Sequence, residues 1–455
     1  MDIKGKKIII LGLGLSGYYA ALLAKKYGAS VAVSDSGSGE KIMERARELK
    51  KKGIQVETSC HSVKFCSNCD FCVVSPGIVL NEGIVACLEK KGIKVISEID
   101  FAFRATDSKV IAITGTNGKS TTAELVLAML LKSGINADAG GNLGKPFSQM
   151  VLENPGREVF VVEVSSFQLE RCFDFNPYIA AILNIEPDHL DRYKNLKDYV
   201  SAKKKLFNIQ RNGYRLFRGA DEKKIGLSAK KGGAVCIRVG GDLTKGSIFV
   251  KNGLIQMRLR KKAKLLLNLS TSKLMGNHNT ENLMFAAGIS LLSGVSSAAI
   301  TEAVKNFSGL HHRMELVGVV KDITYINDSK ATNVDALKTA LTAIDKNIIL
   351  IAGGIWKKDS FRKIRNIVKK KVKMCFLIGK HANVIKAQLK GVCEIQKVAG
   401  LSSAVKEASK IAIQGDTVLL SPGCSSFDMF ADYRERGEVF KAEVFKRKKG
   451  EKNEF

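Results

Sequence analysis

The chain has 455 residues, with 73 Lys and Arg against 44 Asp and Glu, giving a formal net charge of +29. No apolar run reaches the roughly 18 residues that a membrane-spanning helix needs, and at roughly 100–200 residues per domain the length allows two to four domains, each with its own core. The lysines are spread along amphipathic segments and the tail FKRKKGEKNEF, without interleaved aromatics or a nucleic-acid-binding motif, so the charge reads as a solvated surface and no nucleic-acid partner is expected.

The N-terminus, MDIKGKKIIILGLG, passes straight into a strand and a glycine turn. It reads as lacking a signal peptide, so a cytoplasmic protein with reduced cysteines is expected. Strand KKIIIL, helix SGYYAALLAKKYG, strand VAVSD, helix GEKIMERARELKKKG, strand CVVSPG, helix GIVACLEKKG and strand KVISEI make a first block, residues 1–105. Within it Cys60, Cys66, Cys69 and Cys72 cluster beside His61. Cys72 falls in the apolar run FCVVSPG and is predicted to point into a core, and zinc ligands usually come as two separated pairs, so a metal site is not favoured.

A second block, residues 106–308, holds strand VIAITG, then VFVVEV, IAAILNI and helix KDYVSAKKKLF. Its glycine- and lysine-rich stretch from about 212 to 262 is predicted to form short antiparallel strands, followed by helices NTENLMFAAGISLLSG and SSAAITEAVKNF. After GLHHR, a third block, residues 309–455, runs through ITYINDS, NIILIAGG, MCFLIG and TVLLSPG. Strands alternate with helices throughout, which predicts an α/β chain of three domains: a Rossmann-like first domain, a central P-loop-type domain on a parallel sheet, and a Rossmann-like third domain.

Two glycine loops carry the chemistry. Gly12, Gly14 and Gly17 follow a strand with G-x-G-x-x-G spacing, and Asp35 closes the next strand. Taken alone, that is a dinucleotide fingerprint and would suggest an oxidoreductase, although such loops hold many phosphorylated ligands. The second loop, IAITGTNGKSTTAEL, spaces its glycines as G-x-x-G-K-S, tighter than the usual phosphate loop. Gly115 and Gly118 let backbone N–H groups curl around phosphate, Lys119 supplies a cation, and Ser120 or Thr121 can reach Mg²⁺. Glu163 and His189 leave neighbouring strands on the edge where open α/β sheets bind ligands, and together they suit a divalent ion beside a triphosphate.

The whole set resembles the Mur ligase family, the ATP-dependent amide-forming enzymes of peptidoglycan synthesis. GTNGKST, EVSSFQLE, NIEPDHLDRY, GNHNTEN, GLHHRMEL and NDSKATN resemble its motifs in order along essentially the whole chain. GLGLSG, SPGI, GNLG and SPGCSSFDMFADYRERGEVF are most similar to the branch that adds D-glutamate to UDP-N-acetylmuramoyl-L-alanine, and the D-N-P-R motif of the diaminopimelate- or lysine-adding branch is absent.

The resemblance implies that ATP phosphorylates the substrate carboxylate and the incoming amine displaces the phosphate. It implies two Mg²⁺ ions and CO₂ held as a carbamate on Lys203. Catalysis would rest on Lys119, Glu163, His189 and Lys203, with Ser120, Glu163, His189 and carbamylated Lys203 around the metal. ATP would meet Gly115, Thr116, Asn117, Gly118, Lys119, Ser120, Thr121, Asn279, Asn282, Arg313 and Asp328. The UDP-linked acceptor would meet Gly14, Leu15, Ser16, Asp35, Ser36, Asn142, Ser165 and His189; D-glutamate would meet Lys330, Thr332, Lys357, Ser426, Phe427 and Tyr433. Read from the residues alone, Lys203 is one more charge on a helical face with Lys204 and Lys205. A monomer acting on small molecules is expected.

The chain departs from the family where Ser36-Gly37 replaces a frequent Thr-Arg, where Trp356 precedes Lys357, and where Tyr433 stands in place of a frequent Phe. Other readings remain: another Mur-type ligase, folylpolyglutamate synthase, or a basic P-loop NTPase acting on nucleic acid.

Overall fold

The computed structural model describes the chain apart from residues 1, 79–82, 143, 189–191, 227–232, 241–246, 260–261, 275, 357–359 and 451–455, and the side chains at 259, 262 and 448–450. It divides into two compact units, residues 1–272 with 277–307, and residues 273–276 with 308–455. Among the described residues no helix is long and apolar enough to cross a membrane.

The first unit carries two sheets. Strands β1 (Lys7–Leu11), β2 (Ser30–Asp35), β3 (Gln55–Thr58), β4 (Phe71–Val74) and β5 (Lys94–Ser97) form an all-parallel sheet ordered β3-β2-β1-β4-β5. Period-2 alternation sends Ile8, Ile10, Val33, Val73 and Ile96 to one face and Ile9, Leu11, Cys72, Val74 and Val95 to the other. Cys72 therefore does point into a core. Strand order reverses between β1 and β4, and the first glycine loop leaves β1 at that switch point, where doubly wound sheets open a ligand crevice.

The second sheet comprises β6 (Lys109–Thr114), β7 (Ala137–Gly141), β8 (Val159–Glu163), β9 (Ile179–Ile182), β10 (Tyr214–Arg218), β11 (Val235–Val239), β12 (Ser247–Lys251), β13 (Leu254–Leu259) and β14 (Lys262–Asn268). Its order is β14-β13-β12-β11-β10-β9-β6-β8-β7, so the chain turns back at β6, from which the second glycine loop springs. The antiparallel strands predicted for 212–262 need correction. β10 and β11 pair in parallel and widen the main sheet; only β12, β13 and β14 form an antiparallel meander. Parallel pairing depends on distant partners, so local alternation cannot report it.

The two sheets are joined through helices Leu15–Lys26 and Phe147–Glu153, which pack together. Nearby, Glu98 opens the helix that follows β5, is 1% exposed, and accepts the Ser148 N–H at 2.6 Å. Burial pushes its carboxyl up to about 7.

The second unit has one six-stranded sheet: β15 (Glu315–Val320), β16 (Ile323–Asn327), β17 (Ile348–Gly353), β18 (Val372–Ile378), β19 (Glu394–Lys397) and β20 (Thr417–Leu420), ordered β15-β16-β20-β17-β18-β19. Every pairing is parallel except β15 with β16. Alternation again fills both faces, Ile326, Leu350, Leu377 and Leu419 on one and Tyr325, Ile349, Phe376 and Val418 on the other. The strand ends at Asn327, Gly353 and Leu420 thus share one edge.

Candidate active site

At the end of β6 the chain turns with Gly115 at φ 156° and Gly118 at φ 84°, left-handed backbone that glycine adopts readily. A Cβ on Gly118 would also collide with Asn282 Oδ1, so this glycine is required twice. Helix Lys119–Lys132 then begins with no side-chain cap and no acidic residue in its first turn, leaving its N–H groups facing outward for an anion.

The loop is fastened from three sides. Asn184, just beyond β9, accepts the Asn117 N–H at 2.8 Å and donates to the Asn117 carbonyl at 3.0 Å. Thr116 Oγ1 accepts the Glu186 N–H at 3.0 Å and lies 3.1 Å from Tyr199 Oη. Thr122 Oγ1 donates to Asn282 Oδ1 at 3.3 Å, and Asn282 Nδ2 donates to Asn279 Oδ1 at 3.3 Å. The two asparagines expected near the nucleoside are thus tied to the helix that carries the phosphate loop.

Two lysine side chains converge on one carbonyl. Lys119 Nζ donates to Gly115 O and Thr116 O, both at 2.9 Å, and Lys203 Nζ donates to the same Gly115 O at 3.0 Å. The helical-face reading of Lys203 is overturned: the residue is 2% exposed and its Nζ lies 4.7 Å from the Tyr199 ring centre. Burial, and next the charge of Lys119, hold its amine well below the usual lysine range. A neutral amine is the form that reacts with electrophiles.

Across the loop, Ser120 Oγ donates to Glu163 Oε2 at 2.7 Å, and Asn142 Nδ2 donates to Glu163 Oε1 at 3.0 Å. Glu163 ends β8 and is 3% exposed; Thr121 is buried on the helix behind. His189 lies outside the described residues. A hydroxyl and a carboxylate side by side at a phosphate loop are the hard oxygen donors that suit Mg²⁺.

At the first glycine loop, Asp35 accepts the Leu13 N–H at 2.5 Å and the Gly37 N–H at 2.6 Å, bracing the turns after β1 and β2 against each other. Gly14, Leu15 and Ser36 are exposed beside half-buried Ser16. Ser165 is the N-cap of helix Ser166–Leu169 in a reciprocal capping box with Gln168.

In the second unit, Asp328 is buried, accepts Ser421 Oγ–H at 2.8 Å and the Met314 N–H at 3.2 Å, and is pushed by burial up to about 7. The Lys330 N–H donates to the His312 carbonyl at 2.9 Å, and Thr332 follows in the same turn. Ser426 is 2% exposed and Phe427 71% exposed; the Tyr433 carbonyl accepts Ser329 Oγ–H at 2.7 Å. Trp356 N–H donates to His381 Nδ1 at 3.2 Å, while Lys357 lies outside the described residues. Arg436, absent from the sequence-based set, is fully buried and donates to Ser329 Oγ, Ser329 O and Cys424 O, bridging the turns after β16 and β20. Arg313, whose Nη1 is buried with no hydrogen-bond partner among the described residues, sits beside the same turn.

Family comparisons bear directly on this arrangement. The family models described as Mur ligase MurD-like, N-terminal domain; Mur ligase middle domain; and Mur ligase, glutamate ligase domain match residues 6–97, 113–290 and 312–424. The chain is 38% identical over 444 residues to UDP-N-acetylmuramoylalanine--D-glutamate ligase of Acidobacterium capsulatum, covering 97% of this chain and 96% of that one. The chain belongs to the Mur ligase family. This Mur ligase is also 38% identical over 451 residues to the D-glutamate ligase of the same name from Caldicellulosiruptor bescii, covering 98% of each. Solved structures share its fold at low identity: the UDP-N-acetylmuramate-alanine ligase MurC of Thermotoga maritima has TM-score 0.56 at 19% identity, covering 97% of this chain and 99% of that one. The MurF ligase of the same organism, solved in complex with ADP, has TM-score 0.58 at 14% identity, covering 98% of this chain and 96% of that one.

Proposed function

We propose that this Mur ligase is an ATP-dependent enzyme of peptidoglycan precursor synthesis that joins D-glutamate to the L-alanyl carboxylate of UDP-N-acetylmuramoyl-L-alanine. The observation that carries the reading is the likeness, along 97–98% of the chain, to relatives bearing that ligase's name. The phosphate loop supplies a chemical rationale. A carboxylate is a poor electrophile; transfer of the γ-phosphoryl group onto its oxygen makes an acyl phosphate, and attack by the amine of D-glutamate forms the amide and expels phosphate.

Lys119, turned onto the loop's own carbonyls, is placed to move onto the incoming phosphates. The Lys203 amine, buried and held well below the usual lysine range, would add to CO₂ in its unprotonated form, lose a proton and become an anionic carbamate. Ser120, Glu163, His189 and the carbamate would hold Mg²⁺, which supplies charge neutralisation at the phosphates. Glu163 is kept in place for this by Asn142. The support for these roles is the polar pairing of Ser120 with Glu163 and the burial of Lys203.

In this proposal residues 1–105 bind the UDP moiety through the loop braced by Asp35, and residues 106–308 bind ATP. Residues 309–455 bring Lys330, Thr332, Lys357, Ser426, Phe427 and Tyr433 to D-glutamate, with Arg313 and Asp328 assigned to the nucleotide. A dianionic amino acid needs a cation for one carboxylate and hydroxyl or backbone donors for the other. The test is phosphate release from ATP across a panel of amino acids. Release is expected only when UDP-N-acetylmuramoyl-L-alanine and D-glutamate are both present; release with ATP alone, or stimulation by nucleic acid, contradicts it.

A further inference from the structure

The first sheet gathers its lysines at one end. Its five strands run parallel, so the turns that enter them share one edge, opposite the edge from which the first glycine loop leaves. Four of those turns read DIKGKK into β1, KKYGAS into β2, KKKGIQ into β3 and KKGIK into β5, and all eleven of their lysines are exposed. Asp2 is the one acidic residue in these four stretches. A lysine in a last turn suits the helix dipole, yet Lys4, Lys6 and Lys7 follow no helix and Lys94 opens a strand. The opposite edge is balanced, with Asp35, Glu40 and Glu57 against Lys41, Arg45 and Lys64, so the excess charge is not aimed at the first glycine loop.

The turns are tied side by side. The Gly5 N–H donates to Gly28 O at 2.9 Å, the Ser30 N–H to Lys6 O at 2.8 Å, and Lys25 Nζ to the Lys52 carbonyl. Other ammonium contacts are also with neutral oxygens: Lys26 with Leu152 O at 3.4 Å, Lys7 with Asn68 Oδ1 at 3.4 Å and Lys91 with Ser67 Oγ at 3.3 Å. Among the described residues none of the eleven is in an ion pair; Glu89, just before Lys90, is held by Arg171 at 3.1 Å. Five strands make an edge roughly 20 Å wide. Neighbouring turns lie within the ~8 Å over which physiological salt screens charge, so their fields add.

We propose that this lysine edge docks the protein on an anionic phospholipid bilayer, held by diffuse attraction to the headgroups and not by insertion. Hydrated point charges spread over a broad edge match a charged plane. Nucleic-acid recognition draws instead on arginine forks and aromatic stacking. The four turns hold no arginine, and their one aromatic, Tyr27, is half-buried with its hydroxyl on the Ala105 carbonyl at 2.9 Å. With this edge on the bilayer, the first glycine loop, at the other ends of the same strands, faces solvent and stays open to its ligand. The inference does not depend on the ligase reading.

Cosedimentation of the full chain with vesicles tests it. Binding is expected to vesicles of equal parts phosphatidylglycerol and phosphatidylcholine and not to phosphatidylcholine alone, weakening by roughly 10-fold or more between low and ~0.5 M salt. Lys25→Glu, Lys26→Glu, Lys50→Glu and Lys51→Glu together should lower vesicle binding by roughly 100-fold. The same number of reversals at Lys369, Lys370, Lys386 and Lys390, exposed in the second unit, should change it by less than about threefold. Thermal melting checks that both variants fold. In the unsubstituted protein, vesicles should shield Lys25, Lys26, Lys50 and Lys51 from amine acetylation more than Lys369 and Lys370, a readout that needs no variant. Equal loss from the two sets of reversals overturns the inference, because net charge alone then explains binding. So does equal binding to neutral vesicles, absence of shielding, or tighter binding to a single-stranded polyribonucleotide than to anionic vesicles. The ligase reading stands apart from all of these, since phosphate release is measured without lipid.

Discussion

The turns after β1 and β6 share a plan: strand, glycines, open helix N-terminus. In the first, Asp35 takes two backbone N–H groups, and Arg45 Nη1 donates to the Leu13 carbonyl at 3.1 Å from the following helix. In the second, two lysines crowd one carbonyl and a hydroxyl meets a buried carboxylate. A loop that only holds a diphosphate needs backbone donors and a rigid shape. A loop from which a phosphoryl group is to be transferred also needs cations and hard oxygen donors set in place before the charge develops. In the proposed reading the same backbone plan serves binding in one place and transfer in the other.

Substitutions should separate the two loops. The largest effect is expected for Lys203→Ala, which should lower ligase turnover by roughly 1,000-fold while leaving binding of the UDP-linked acceptor intact. Short-chain carboxylates should restore part of the activity, and the check is steady-state kinetics with and without them. Next, Gly118→Ala forces a side chain into Asn282 at a left-handed position; ATP affinity should fall by roughly 100-fold with acceptor affinity unchanged. Gly17→Ala is its counterpart at the first loop, where the new Cβ collides with the Gly12 carbonyl. That variant should lose about 1–3 kcal/mol of stability, seen in urea unfolding, and bind the acceptor weakly while holding ADP normally. Equal damage to both ligands from either glycine variant would dissolve the distinction.

The substitution farthest from either loop's ligand concerns the joint between the two sheets. Glu98 is raised from 4.5 to about 7 by burial, so the folded chain keeps a proton that the unfolded chain releases. Its contribution to stability is full below pH 4.5, declines as pH rises towards 7, and is lost above that. Glu98→Gln should remove roughly 3 kcal/mol of this pH dependence, measured as denaturation midpoints across pH 4.5–8, without altering either loop's ligand preference.

The phosphate loop was legible because its chemistry is local: Gly115, Gly118, Lys119 and Ser120 are neighbours in sequence and in space. Glu163 was legible from its place at a strand end. Lys203 was visible only through resemblance, since three successive lysines look alike and only packing decides which is buried. One cue was present: Tyr199 precedes Lys203 by four residues, which puts both on the helical face that meets the loop. Arg436 and Asn184 act through turns distant in sequence, and nothing in their own neighbourhoods signals that. The parallel pairing of β10 and β11 was hidden for the same reason.

Isotope transfer tests the proposed chemistry most directly. With UDP-N-acetylmuramoyl-L-alanine labelled with ¹⁸O in its alanyl carboxylate, ATP and D-glutamate, one labelled oxygen should appear in the released phosphate, because the carboxylate oxygen bridges to the transferred phosphorus and leaves with it. Amide formation with unlabelled phosphate would contradict an acyl phosphate route.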